Sequence, residues 1–71
     1  MAGAHILVVD DEELVRWTFD TALKEEGYRV DAAERGEDAL EKFGKRKYDL
    51  VILDIKLPGI DGVEVLKRIR E

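Results

Sequence analysis

Seventy-one residues leave room for one small domain, and the absence of cysteine removes disulfides as a means of holding it together. A single histidine, His5, and no thiol exclude a structural zinc site of the usual ligand set. A net charge of −5 disfavours nucleic-acid and acidic-membrane surfaces, and no apolar run approaches the roughly 20 residues of a membrane span. Apolar residues at 45% balanced by charged residues at 41% describe a soluble globular chain rather than a disordered one, with the cytoplasm as its expected location.

In chain order, Met1 to Ala4 is too short for a signal peptide and reads as a start plus added residues. His5-Ile6-Leu7-Val8-Val9 is a continuous apolar run, the pattern of a strand buried on both faces, and it ends in Asp10-Asp11-Glu12-Glu13. Val15, Thr18, Phe19, Ala22 and Leu23 recur at helical spacing and predict a helix over Glu13 to Glu26. Acids at its start suit the helix dipole, Gly27 is placed to cap its end, and Trp17 falls off the stripe as a partly exposed packing residue. Tyr28-Arg29-Val30-Asp31-Ala32 alternates as an edge strand does, and Glu34-Arg35-Gly36 reads as a turn. Ala39, Leu40 and Phe43 mark a short helix closed near Gly44, where Lys45-Arg46-Lys47 matches the negative end of the dipole.

Leu50-Val51-Ile52-Leu53 is the second unbroken apolar run, again with the composition of a strand buried on both faces, and Asp54 closes it. Pro58 and Gly59 shape a loop, after which Val63, Leu66 and Ile69 mark a third helix running to Glu71. The order is βαβαβα, with connections too long for hairpins and suited to right-handed parallel crossovers.

Two apolar strands therefore carry acids at the same end. If they are neighbours, Asp10, Asp11 and Asp54 converge at the carboxyl edge of the sheet, where ligands bind in parallel α/β folds. Three adjacent carboxylates repel, and a bound cation is the natural relief. Oxygen-only ligation points to a hard ion, Mg²⁺ before Zn²⁺, with positions left for phosphate oxygens and Asp54 as a carboxylate nucleophile. The plainer alternative is that Asp10, Asp11 and Glu12 cap the first helix and Asp54 caps a loop.

Ile6-Leu7-Val8-Val9-Asp10-Asp11-Glu12, Leu50-Val51-Ile52-Leu53-Asp54 and Leu57-Pro58-Gly59-Ile60-Asp61-Gly62 together resemble the receiver domain of two-component response regulators. The resemblance runs from His5 to Glu71 and implies a flavodoxin-like, doubly wound parallel sheet, reduced to βαβαβα with strand order 2-1-3. It implies that Asp54 accepts a phosphoryl group from a sensor histidine kinase. Asp11 would ligate Mg²⁺ directly, Asp10 mainly through water, and the backbone carbonyl of Lys56 would complete the protein's ligands. The Lys56 side chain takes no role and is expected in solvent.

By the same resemblance, the fourth and fifth strands, with a switch Ser or Thr and a phosphate-binding Lys, have no counterpart here, and neither Lys56 nor Lys67 can serve for that lysine. The third strand would then be an open apolar edge, and part of the Val15, Phe19 and Leu23 stripe would be exposed. A core of this size supplies at most about 3–5 kcal/mol unaided, and self-association through Leu50 to Leu53, as a homodimer, is expected. Three functions compete. The leading one is a phosphoacceptor module, not an enzyme, whose parent regulates transcription. The second is a truncated or engineered half-domain that assembles without signalling. The third is a Mg²⁺-dependent phosphohydrolase with an aspartyl intermediate, for which neither a general acid nor a substrate pocket is visible.

Overall fold

The computed structural model describes residues 3–57 and 59–70, so Met1, Ala2, Pro58 and Glu71 lie outside it. Six elements alternate: β1 (His5–Val9), α1 (Glu13–Glu25), β2 (Arg29–Ala33), α2 (Gly36–Lys45), β3 (Leu50–Leu53) and α3 (Gly62–Ile69). The strands form one parallel sheet in the order β2-β1-β3. This is the doubly wound topology expected of the chain.

β1 is the centre of the molecule because it is the one strand that needs no polar face. All five of its residues are buried, and Leu7 is fully so. Alternation sends Leu7 and Val9 to one face, where they meet Ala33, Ala39, Leu57 and Val65. That face is covered by α2 and α3, whereas α1 lies against β1 and β2. Full burial of each large aliphatic side chain in β1 is worth about 1.5–3 kcal/mol, so this strand carries much of the core.

Hydrogen bonds beyond the ladder fix the register at both ends. The Asp49 amide donates to the His5 carbonyl at 2.7 Å, while the Asp49 carboxylate accepts from the His5 amide at 2.7 Å. At the other end the Asp10 amide donates to Ala33 at 3.1 Å and the Asp54 amide to Val9 at 2.9 Å. Asp10 and Asp54 thus leave adjacent strands at the same level.

Several expectations are corrected. β3 is not buried on both faces: Leu50 is 46% exposed and Val51, Ile52 and Leu53 are half-buried, because β3 has a strand neighbour on one side alone. α1 buries no residue fully; Val15 and Leu23 are half-buried and Phe19 is exposed, as expected of a stripe with little cover. Trp17, off the stripe, is partly exposed as expected, at 62%. α2 does close near Gly44, running from Gly36 to Lys45 with extended Arg46 as its C-cap. α3 ends at Ile69 rather than running to Glu71, which lies outside the described residues; its buried positions are Gly62 and Val65, Ile69 is half-buried, and Val63 and Leu66 are exposed. Gly27 does end α1, at φ 90°, its amide donating to Lys24 at 3.0 Å.

Candidate functional site

Asp10, Asp11 and Asp54 come together at the carboxyl edge of the sheet. Each can offer a carboxylate oxygen within 4.8 Å of the oxygens of the other two. β1 supplies the pair and β3 the single acid, and parallel pairing with matched ends is the reason they meet. Asp10 and Asp54 are half-buried and Asp11 is exposed, so the cluster opens to solvent.

Local turns orient two of the carboxylates. Asp10 Oδ1 accepts from the Glu12 amide at 2.9 Å, and Asp54 Oδ1 accepts from the Lys56 amide at 3.0 Å. Each bond engages one oxygen and leaves the other without a hydrogen bond among the described residues. Of the plainer alternative, the loop-closing role is present for Asp54, whereas Asp10 accepts from the N-cap residue itself and closes the β1–α1 loop without capping α1. Glu12, the N-cap of α1, makes no side-chain cap bond. Three negative groups at this spacing, all oxygen donors and none engaged by a cationic side chain among the described residues, match the chemistry of a hard divalent cation.

Two supports were not legible in the sequence. Arg16, one turn into α1, reaches back and donates to the Asp10 carbonyl at 2.8 Å, holding the β1–α1 loop. Gly62, the first residue of α3, presses against the backbone that carries Asp54. A Cβ there would overlap the Asp54 carbonyl oxygen and lie 2.5 Å from the Ile55 Cα, and the Gly62 amide donates to Ile55 at 2.8 Å. A glycine eight residues past an acid carries no local signal of such a contact. Asp61 accepts from the Glu64 amide at 2.9 Å as the N-cap of α3. Gly59 takes φ 74°, consistent with its role in the loop; Pro58, assigned to the same loop, is outside the described residues. The Lys56 side chain is exposed, as expected.

The family model for the response regulator receiver domain matches residues 6–71, and the chain belongs to that family. Transcriptional regulatory protein ResD of Bacillus subtilis is 47% identical over 66 residues, covering 93% of this chain and 28% of that protein. Response regulator protein TrrA of Thermotoga maritima, solved in complex with Mg²⁺-BeF, is 57% identical with a TM-score of 0.90, over 94% of this chain and 58% of that one. The same TrrA solved in complex with histidine kinase ThkA superposes with a TM-score of 0.89, over 94% of this chain and 58% of that one. The chain thus spans under a third of the length of ResD and somewhat over half of the solved receiver. Among the described residues no helix is long and apolar enough to cross a membrane.

Proposed function

We propose that this receiver takes a phosphoryl group onto Asp54 from the phosphohistidine of a sensor kinase. One oxygen of the Asp54 carboxylate attacks phosphorus, the P–N bond to the kinase histidine breaks, and an acyl phosphate forms on the aspartate. The observation that carries this reading is the convergence of three carboxylates, from two strand ends, within 4.8 Å. Asp10, Asp11, Asp54 and the Lys56 backbone carbonyl would hold Mg²⁺, which offsets the charge of the incoming phosphoryl group when bound. The oxygen of Asp54 that is not tied to the Lys56 amide is the nucleophile, and that bond keeps the carboxylate from rotating away. A relative solved with Mg²⁺-BeF and with a histidine kinase supports the ion and the donor.

The chain is consumed as an acceptor rather than turning over a separate substrate, so it is not an enzyme in this reading. Its site is cytoplasmic, and the parent acts on transcription, as the name of ResD suggests for that relative. Incubation with phosphorylated kinase or a small acyl phosphate, followed by intact mass, tests it. One phosphoryl group should appear with Mg²⁺ and vanish in Asp54→Asn; incorporation retained in that variant refutes the assignment.

A second reading concerns assembly. β3 is an edge strand with Leu50 46% exposed, and Val63 and Leu66 of α3 are also exposed. Such an edge favours pairing of β3 with a second copy as a symmetric dimer. Sedimentation should show a dimer that Leu50→Lys dissociates; a monomer at all concentrations contradicts it. No nucleic-acid contact is proposed for this segment.

A further inference from the structure

At the opposite end of the sheet from the acids, the chain builds a basic depression. It has a volume of about 460 Å³ and is lined by His5, Arg29, Val30, Asp31, Arg46 and Lys47. That volume lies within the roughly 300–1,000 Å³ range of small-ligand sites. Three permanent cations face one carboxylate there, in a chain whose net charge is −5.

Asp31 offsets one of these charges through its ion pair with Arg46 at 2.9 Å. Its Oδ2 accepts from His5 Nε2 at 2.9 Å, from Arg46 at 2.9 Å and from the Tyr48 hydroxyl at 2.7 Å. Its charge is thus shared among three donors, of which one alone is an arginine. The His5 ring donates from Nε2 and accepts at Nδ1 from Arg29 at 3.0 Å, which sets its tautomer and anchors the Arg29 guanidinium at the rim. Arg29 spends one N–H on that bond and has no ion pair among the described residues. Lys47 has no ion pair among the described residues. Lys45, which pairs with Glu41 at 3.2 Å, belongs to the helix end instead, so the basic cluster divides between two tasks.

We infer that this depression binds a small phosphate-bearing anion through Arg29, Arg46 and Lys47. Planar guanidinium groups match tetrahedral oxyanions, and Lys47 adds a mobile point charge. Val30 is the one apolar lining residue, so recognition is by charge and hydrogen bonding. The inference is independent of the role proposed for Asp54.

Titration of the ¹⁵N-labelled protein without Mg²⁺ tests it, with inorganic phosphate in one arm and O-phosphoserine in the other, against chloride at matched ionic strength. Saturable shifts should appear at the amides of His5, Val30, Asp31, Arg46 and Lys47, with Kd on the order of 1 mM. Tighter binding of the monoester identifies an organic phosphate as the ligand, and equal affinity identifies free phosphate. Arg29→Gln and Lys47→Gln should each weaken binding by about tenfold, the loss of one charge-assisted contact. Lys47 makes no ion pair among the described residues, so its variant keeps the fold readable through unshifted β1 amides. Unsaturated shifts, equal shifts with chloride, or binding unchanged in Lys47→Gln would overturn the site.

Discussion

Asp31 and Tyr48 tie the start of the sheet together, and their protonation makes the bond measurable. Burial pushes the Asp31 carboxyl up, but the Tyr48 hydroxyl, Arg46 and His5 outweigh it and hold it below its ordinary value of 3.8. Burial, then the hydrogen bond to Asp31, raises the Tyr48 phenol from 10.0 to about 12. The signs differ. Asp31, depressed in the fold, contributes stability above the ordinary aspartate value that is lost as pH falls through the folded one. Tyr48, raised in the fold, contributes stability below pH 10 that is lost as pH rises toward about 12. Tyr48→Phe should cost about 1 kcal/mol at neutral pH and abolish this alkaline loss, read by denaturant melts at pH 7 and pH 11.5. At the other end Gly62→Ala should cost about 1–3 kcal/mol, since its methyl meets the Asp54 backbone. Its more telling effect is slower phosphoryl acceptance, through displacement of Asp54. Neither the His5–Asp31–Tyr48 network nor the Gly62 contact was legible in the sequence, because each joins residues distant in the chain.

Elements follow a different rule, in which burial depends on neighbours as much as on composition. β1 and β3 read alike as apolar runs, yet β1 is buried throughout and Leu50 of β3 is 46% exposed. Leu7→Ala should therefore cost about 2–5 kcal/mol, while Leu50→Ala should cost less than half as much in the monomer; chemical denaturation separates them. Both strands, the parallel sense of the connections and the three helices were legible, because apolar runs and 3.6-residue spacing are local signals; the order β2-β1-β3 was implied by the family resemblance alone. The inner face of α3 was not, since Val63, Val65, Leu66 and Ile69 are all apolar and only α2 decides which turn inward. The end of α2 was legible too: the helix stops at Lys45, one residue past Gly44, where the basic cluster begins. Asp61, whose carboxylate caps α3, should cost about 0.5–2 kcal/mol when replaced by Ala.

At the scale of the whole molecule, charge is segregated along the strands. Carboxylates gather at their ends, where Asp10, Asp11 and Asp54 repel one another, and cations gather at their beginnings around Asp31. The acidic site was legible because Asp10 and Asp54 each close an apolar run, once the resemblance made those two strands neighbours. The basic end was not, since Arg29, Arg46 and Lys47 come from separate segments. A cation held by all three acids would bind the folded chain in preference to the unfolded one, in which the strand ends are apart. Mg²⁺ at about 100 times its Kd should stabilise the fold by about 2.7 kcal/mol.

Mg²⁺ titration followed by backbone NMR tests most directly whether the three acids form one cation site. Saturable shifts at Asp10, Asp11, Glu12, Asp54 and Lys56, lost in Asp11→Asn, are the result this structure predicts. Shifts absent from either strand end, or unchanged when Asp11 is neutralised, would contradict it.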